Sequence, residues 1–208
     1  MQVAIISIVL TVLGYFFGKG IRKYSTMLYI LAIVISLIFS IASFFLFDKI
    51  KVMEMFVHGY IGFSLLFIVM FTGALNKKSI LSKRLTSIRK EYSIIGFIFI
   101  IPHAIKYIIE LFNNNSEIYY WIGLIAFVIM IPLFITSFSK IRSKFKYPVW
   151  KKLHRWSYLA YTLIFVHVLL VAETRDMIVY IVMFTPYFIL KLIKEYKLYK
   201  IKNEKANA

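Results

Sequence analysis

The feature that most constrains this chain is a succession of apolar runs cut apart by short connections that carry nearly all its charge. Seven such runs can be drawn, at 1–17, 27–47, 52–75, 92–112, 119–139, 154–172 and 177–193. Each reaches the length of about 17 residues or more that an α-helix needs to cross the hydrocarbon of a bilayer. The first and last sit at that lower limit, so a stricter count leaves five or six. Hydrophobic residues make up 61% of the chain and the mean hydropathy is +0.80, against about 45–50% apolar residues in a soluble domain. Lipid is therefore the solvent, and in lipid each backbone N–H and C=O must be satisfied within its own segment or a closed barrel. The expected fold is all-α: a polytopic membrane helix bundle of about seven transmembrane helices, six possible.

The net charge of +17 would suggest nucleic acid in a soluble protein, but its distribution argues against that partner and for a topology signal. Lys19, Arg22 and Lys23 form one group, Lys77, Lys78, Lys83, Arg84, Arg89 and Lys90 the next, and Lys140, Arg142, Lys144, Lys146, Lys151 and Lys152 the third. Lys191, Lys194, Lys197, Lys200, Lys202 and Lys205 come near the end. The alternate connections, 48–51, 113–117 and 173–176, are poor in Lys and Arg. The positive-inside rule then puts the N-terminus outside and the C-terminus in the cytoplasm. Residues 1–17 read as a reverse anchor, since their cations come after the apolar run. One membrane domain is expected over 1–194, with a basic cytoplasmic tail at 195–208. No phosphate-binding glycine loop, dinucleotide fingerprint or internal repeat is found. Absence of cysteine excludes disulfides, thiolate ligation and covalent haem attachment through CxxCH.

Chemistry-bearing residues inside the spans are few, and four histidines stand out: His58 in the third run, His103 in the fourth, and His154 and His167 at the two ends of the sixth. An ionisable side chain at membrane depth is costly and usually functional. A neutral imidazole suits that setting and is a good ligand for haem iron; the plainer alternative is a histidine that hydrogen-bonds helices together. At about 1.5 Å per residue, His167, His58 and His103 lie roughly 8, 9 and 14 Å inside the outer edge. His103 and His167 can therefore form an axial pair on one haem, with His58 replacing one of them or touching the haem edge. His154 lies about 20 Å along the helix from His167 and about 140° away in azimuth, so either the helix is irregular or His154 precedes it. One outer haem is expected, and an inner one is left open for want of a second ligand. Gly96 and Ala160, each seven residues before a candidate ligand, would leave room for a flat macrocycle or serve ordinary helix packing. Lys106 and Glu110 are spaced for an interfacial ion pair. Pro102, Pro132 and Pro186 keep a second class in view, a transporter or channel with a histidine proton relay or substrate site. A scaffold with structural histidines is a third.

Several of these residues form a recognisable order. Phe56-Val57-His58-Gly59 opens the third run; Arg89-Lys90 precedes His103 and Tyr107; Thr136-Ser137 closes the fifth. Then Trp150-Lys151-Lys152-Leu153-His154-Arg155-Trp156-Ser157-Tyr158-Leu159 leads to His167. In this the chain resembles the ferric reductase-like transmembrane family over a core of about 53–170, most closely the haem-binding membrane subunits of bacterial methionine sulfoxide reductase systems. The resemblance implies a b-type cytochrome of the cytoplasmic membrane. Such a protein takes electrons from a cytoplasmic flavin reductase, bound FMN or a quinol such as menaquinol. It passes them to an extracytoplasmic redox partner: a methionine sulfoxide reductase, a flavoprotein or ferric iron. It also implies that His103 and His167 are outer haem ligands and that His154 is an inner ligand or site residue. Larger relatives carry a fourth histidine where Arg89 stands here, and append flavin and nicotinamide domains. Arg89, Lys90, Lys152 and Arg155, with Trp150 and Trp156, could hold a flavin phosphate or haem propionates, or serve simply as positive-inside signals and an aromatic belt.

Overall fold

The structure is a computed structural model that describes residues 1–46, 55–76, 78–113 and 117–206. The connection 48–51, the start of the expected core at 53, Lys77, the middle of the 113–117 connection and the last two residues of the expected tail lie outside the described residues. Among the described residues the regular structure is entirely helical, as a chain solvated by lipid requires. Seven apolar helices match the seven runs in order: α1 (Gln2–Lys23), α2 (Ser25–Leu46), α3 (Tyr60–Ala74), α5 (Arg89–Phe112), α6 (Ile118–Ile135), α9 (Trp156–Val171) and α10 (Thr174–Ala206). Helices α1, α2, α5, α6 and α10 are long and apolar enough to cross a membrane unaided, whereas α3 has 15 residues and α9 has 16. The protein is an all-α polytopic membrane bundle.

The charged connections are helical where simple loops would have sufficed. Residues 80–87 form α4 (Ile80–Ser87), whose N-cap Ser79 accepts a hydrogen bond from the Ser82 N–H at 3.1 Å. The long basic segment after α6 holds α7 (Ser139–Arg142) and α8 (Tyr147–His154), the latter opened by Pro148, where a missing N–H costs nothing. His154 ends α8 and Arg155 separates it from α9. It therefore precedes the sixth span instead of starting it, which removes the azimuth conflict with His167. Residues 195–206 continue α10 without a break.

Contacts sort the ends of the helices as loop charge predicts. At the basic end, Arg84 Nη1 donates to Tyr15 O at 3.0 Å, Lys194 Nζ to Gly73 O at 2.6 Å and Lys90 Nζ to Ser139 Oγ at 3.5 Å. At the other end the amino terminus meets Asp176, and Tyr120 donates to Glu110 at 3.2 Å. The outer faces of α1, α2 and α10 carry exposed Ile8, Phe16, Met27, Ile38, Val182 and Ile189, the surface that acyl chains solvate. Helix α3 lies inside, packed on α1, α5 and α10, while α6 pairs with α9.

The α3–α5 crossing is the tightest in the bundle's centre. A Cβ on Gly62 would lie 2.8 Å from both Gly96 O and Ile100 N, and one on Gly96 would lie 3.0 Å from Leu65 Cβ. Small residues that let backbones approach are the usual means of helix association where no hydrophobic force acts between helices. Because backbone cannot yield as a flexible side chain can, Gly62→Ala is expected to destabilise the bundle by about 1–3 kcal/mol. Gly20→Ala, whose Cβ meets nothing within 4 Å, should leave stability unchanged. Thermal unfolding of both variants in detergent, followed by circular dichroism, checks this.

Candidate functional site

Helix α5 carries His103 towards the N-terminal end of α3. There Gly59 turns the chain in the left-handed region at φ 73°, with its N–H on Phe56 O at 2.9 Å. The turn leaves the carbonyl of fully buried Val57 facing α5, where it lies 3.0 Å from His103 Nδ1. His167 on α9 meets the first turn of α6 in the same manner, its Nδ1 standing 2.9 Å from Tyr119 O. One helical turn beyond Tyr119 is Gly123, and the lack of a side chain there opens this carbonyl to the imidazole.

A carbonyl only accepts, so in the neutral form each of these rings carries its proton on Nδ1 and keeps the Nε2 lone pair. That is how a metal-ligating histidine is usually held, with its second nitrogen donating to a carbonyl or carboxylate that fixes tautomer and orientation. The two rings stand 6.2 Å apart between centroids, with planes at 80°. Two imidazoles bound to one metal ion from opposite sides, each at about 2 Å, have centroids about 6 Å apart. The spacing of the pair matches that of two imidazoles sharing one metal ion. Among the described residues no group of three or more His, Asp or Glu side chains converges to hold a bare ion. A metal that brings its own equatorial nitrogens needs only the two axial ones.

Around the pair is a cavity of about 420 Å³, within the range of about 300–1,000 Å³ common for cofactor and ligand sites. Its walls are mostly apolar, from Phe63, Leu66, Ile100, Phe127, Met130 and Ile164, and the half-buried Tyr60, Tyr107, Tyr119, Tyr120 and Tyr180 also line it. His58 lies on the same wall, with Nδ1 3.3 Å from Tyr107 OH, and Tyr107 in turn packs 4.7 Å from the His103 ring. Three of the four histidines therefore share one cavity.

The other sequence-selected residues fall elsewhere. His154 Nε2 lies 3.0 Å from Thr136 Oγ1, and the Thr136 hydroxyl is within 2.7 Å of Pro132 O. Since that hydroxyl has one proton and gives it to the carbonyl, His154 is the donor through Nε2–H. Its ring packs 4.2 Å from Trp150, whose Nε1 donates to Thr136 O at 3.2 Å. Gly96 and Ala160 do not line the cavity: Gly96 meets α3 at the crossing, and fully buried Ala160 packs with Leu66, Phe97 and Met130. Lys106 and Glu110 make the spaced ion pair, at 3.7 Å. Arg89 sits at the start of α5, its Nη2 3.5 Å from where a Gly73 Cβ would be. Arg155, Lys152 and Trp156 lie around the start of α9, with Arg155 and Trp156 exposed. It is Arg142, not singled out by sequence, that lies 4.3 Å over the Trp150 ring, beside a separate hollow lined by Ser139, Ser143, Phe145 and Tyr147. Sequence reasoning finds Gly59 only as part of the Phe56–Gly59 motif and misses its place against His103, as it misses Gly123 and the tyrosines other than Tyr107, because each acts across the bundle.

Comparison with known proteins gives the family of the chain. The model of the ferric reductase like transmembrane component family covers residues 58–165, from His58 on the cavity wall to just short of His167. The chain belongs to that family, whose members are membrane electron-transfer components. It is also similar to the magnetosome protein MamZ of Magnetospirillum gryphiswaldense, 29% identical over 103 residues. That match takes in 45% of this chain and 16% of the relative, so the chain spans a small part of that protein's length. No solved structure matches the chain.

The Thr136 contact makes a distinction that can be measured. Thr136→Val leaves the His154 N–H without its acceptor and is expected to cost about 1–3 kcal/mol, read as a lower unfolding temperature in detergent. Any ligand held by the His103–His167 pair should be retained in that variant.

Proposed function

We propose that this protein is a b-type cytochrome subunit that carries electrons across the cytoplasmic membrane, with haem b held between His103 and His167. One observation carries the reading: two imidazoles from different helices lie 6.2 Å apart in the lining of a mostly apolar cavity, each with Nδ1 tied to a backbone carbonyl and, among the described residues, no hydrogen bond at Nε2. When bound, haem b supplies a one-electron couple of iron, which amino-acid side chains alone do not offer. The protein's part is to fix the axial ligands, exclude water with Phe63, Leu66, Phe127 and Met130, and set the local dielectric. His58 and Tyr107, joined at 3.3 Å, line the same cavity and would contact a macrocycle bound there.

The electron source is assigned to the basic end, from a cytoplasmic flavin reductase, bound FMN or menaquinol. The acceptor is an extracytoplasmic redox partner. Methionine sulfoxide reductase, another flavoprotein and ferric iron are the chemical classes that fit the resemblance noted from sequence. We take the functional unit to be the membrane domain over 1–194, with 195–208 as a basic cytoplasmic tail. A single haem is favoured, since His154 commits Nε2 to Thr136 and Arg89 stands where a further ligand would be needed.

The absorption spectrum of the protein purified in detergent from haem-replete cells is the deciding measurement. A Soret band with sharp α and β bands on dithionite reduction is expected; a colourless, folded protein would remove the reading and restore a histidine relay in a transporter. Haem per chain should fall at least about tenfold in His103→Ala and His167→Ala, and stay near the parent value in His58→Ala and His154→Ala.

A further inference from the structure

The two candidate axial rings are not merely opposite each other; their planes are crossed at 80°. Each ring is held in that orientation by two contacts of the same kind. Behind His103, a Cβ on Gly59 would lie 3.1 Å from Cγ and 3.3 Å from Nδ1, on a backbone at φ +73° that side chains rarely adopt. Behind His167, a Cβ on Gly123 would lie 2.9 Å from Cε1, 3.0 Å from Nδ1 and 3.5 Å from Nε2. In each case the ring lies against the bare glycine while its Nδ1 reaches a carbonyl close to that glycine in sequence, Val57 O or Tyr119 O. The hydrogen bond fixes one edge of each ring, and the bare glycine leaves the space the ring occupies in that orientation.

We propose that Gly59 and Gly123 are positioning residues that hold the His103 and His167 imidazole planes crossed, and so set the electronic state of the metal between them. This rests on the reading of those histidines as axial haem ligands. The reason lies in orbital symmetry. Each imidazole donates through a π orbital perpendicular to its ring, which splits the iron dxz and dyz levels along that direction. Parallel rings add their splittings and give a rhombic low-spin ferric signal; crossed rings oppose them and give a strongly anisotropic signal with a large principal g value. Ligand orientation is thus a lever the protein exerts from outside the ligand set.

Gly123 is the sharper test because it sits inside α6, where alanine is the better helix former. A methyl there improves the helix while displacing the His167 ring, so a change confined to the haem signal has one cause. The experiment is low-temperature EPR of the ferric full-length protein in detergent, with haem per chain measured on the same samples. The parent should show the large-g anisotropic signal; a rhombic parent signal would overturn the proposal without any variant being made. Gly123→Ala should keep most of its haem and shift its main signal to lower g, and Gly59→Ala should shift it through the other ring. Gly20→Ala should match the parent. A haem-loaded Gly123→Ala with the parent's signal would refute the positioning role. So would a folded Gly123→Ala without haem, which would make the glycine a condition of binding. Absence of haem from the parent would instead defeat the underlying cytochrome reading, so the two failures are distinguishable.

Discussion

Two hydrogen bonds from imidazole Nδ1 to main-chain carbonyls, His103 to Val57 O and His167 to Tyr119 O, are what the centre of this bundle is arranged around. In lipid a carbonyl released from helix bonding is a liability, because no water is there to donate to it. Here the Val57 carbonyl, freed at the Gly59 turn, is turned to use: it fixes the tautomer of a ring that lines the cavity and leaves the lone pair on Nε2. The same bonds lower the cost of burying a polar side chain at membrane depth. Helix ends, glycines and histidines are in this respect one device, used once between α3 and α5 and again between α6 and α9.

The surrounding helices make that device possible by packing at unequal distances. Gly62 and Gly96 let α3 and α5 touch, so that a Cβ on Gly62 would lie 2.8 Å from Gly96 O. Towards the tyrosine-lined end the space between helices opens into the cavity beside His58, His103 and His167. Stacked Phe127, Phe97 and Phe134, with ring centroids 5.3 and 4.4 Å apart, fill the space below it and close the cavity from the basic end. The cavity is thus a local separation of helices that are elsewhere in contact, and it faces the end of the bundle with fewest cations.

How much of this can be read from sequence depends on what kind of signal each residue leaves. The seven helices are legible because hydrophobic length and loop charge are local properties. Pairing His103 with His167 is legible because depth along a helix is simple arithmetic and polar side chains in lipid are rare. Gly59 and Gly123 are not, since a glycine in an apolar run says nothing about which ring, more than forty residues further on, will lie against it. Helical periodicity places Gly96 and Ala160 on the face of the histidines, and of the two uses it leaves open the structure shows packing, Gly96 against α3 and Ala160 among Leu66, Phe97 and Met130. His154 is ambiguous in azimuth, and the break at Arg155 that resolves it has no strong sequence mark. The inner basic cluster is legible as charge but not as geometry, so nothing in the pattern prefers Arg142 to exposed Arg155.

The unbroken course of α10 from Thr174 to Ala206 has a mechanical consequence. Its 33 residues measure about 50 Å, whereas the hydrocarbon layer is about 30 Å thick. Lys194, pinned to the end of α3 through Gly73 O, marks where the helix leaves its neighbours. Past that point α10 continues for about three further helical turns, so Lys197 and Lys200 are carried on a helix that runs on from the bundle. A protein approaching that side meets cations whose distance from the buried histidines is set by helix geometry and does not wander with the thermal motion of a loose tail.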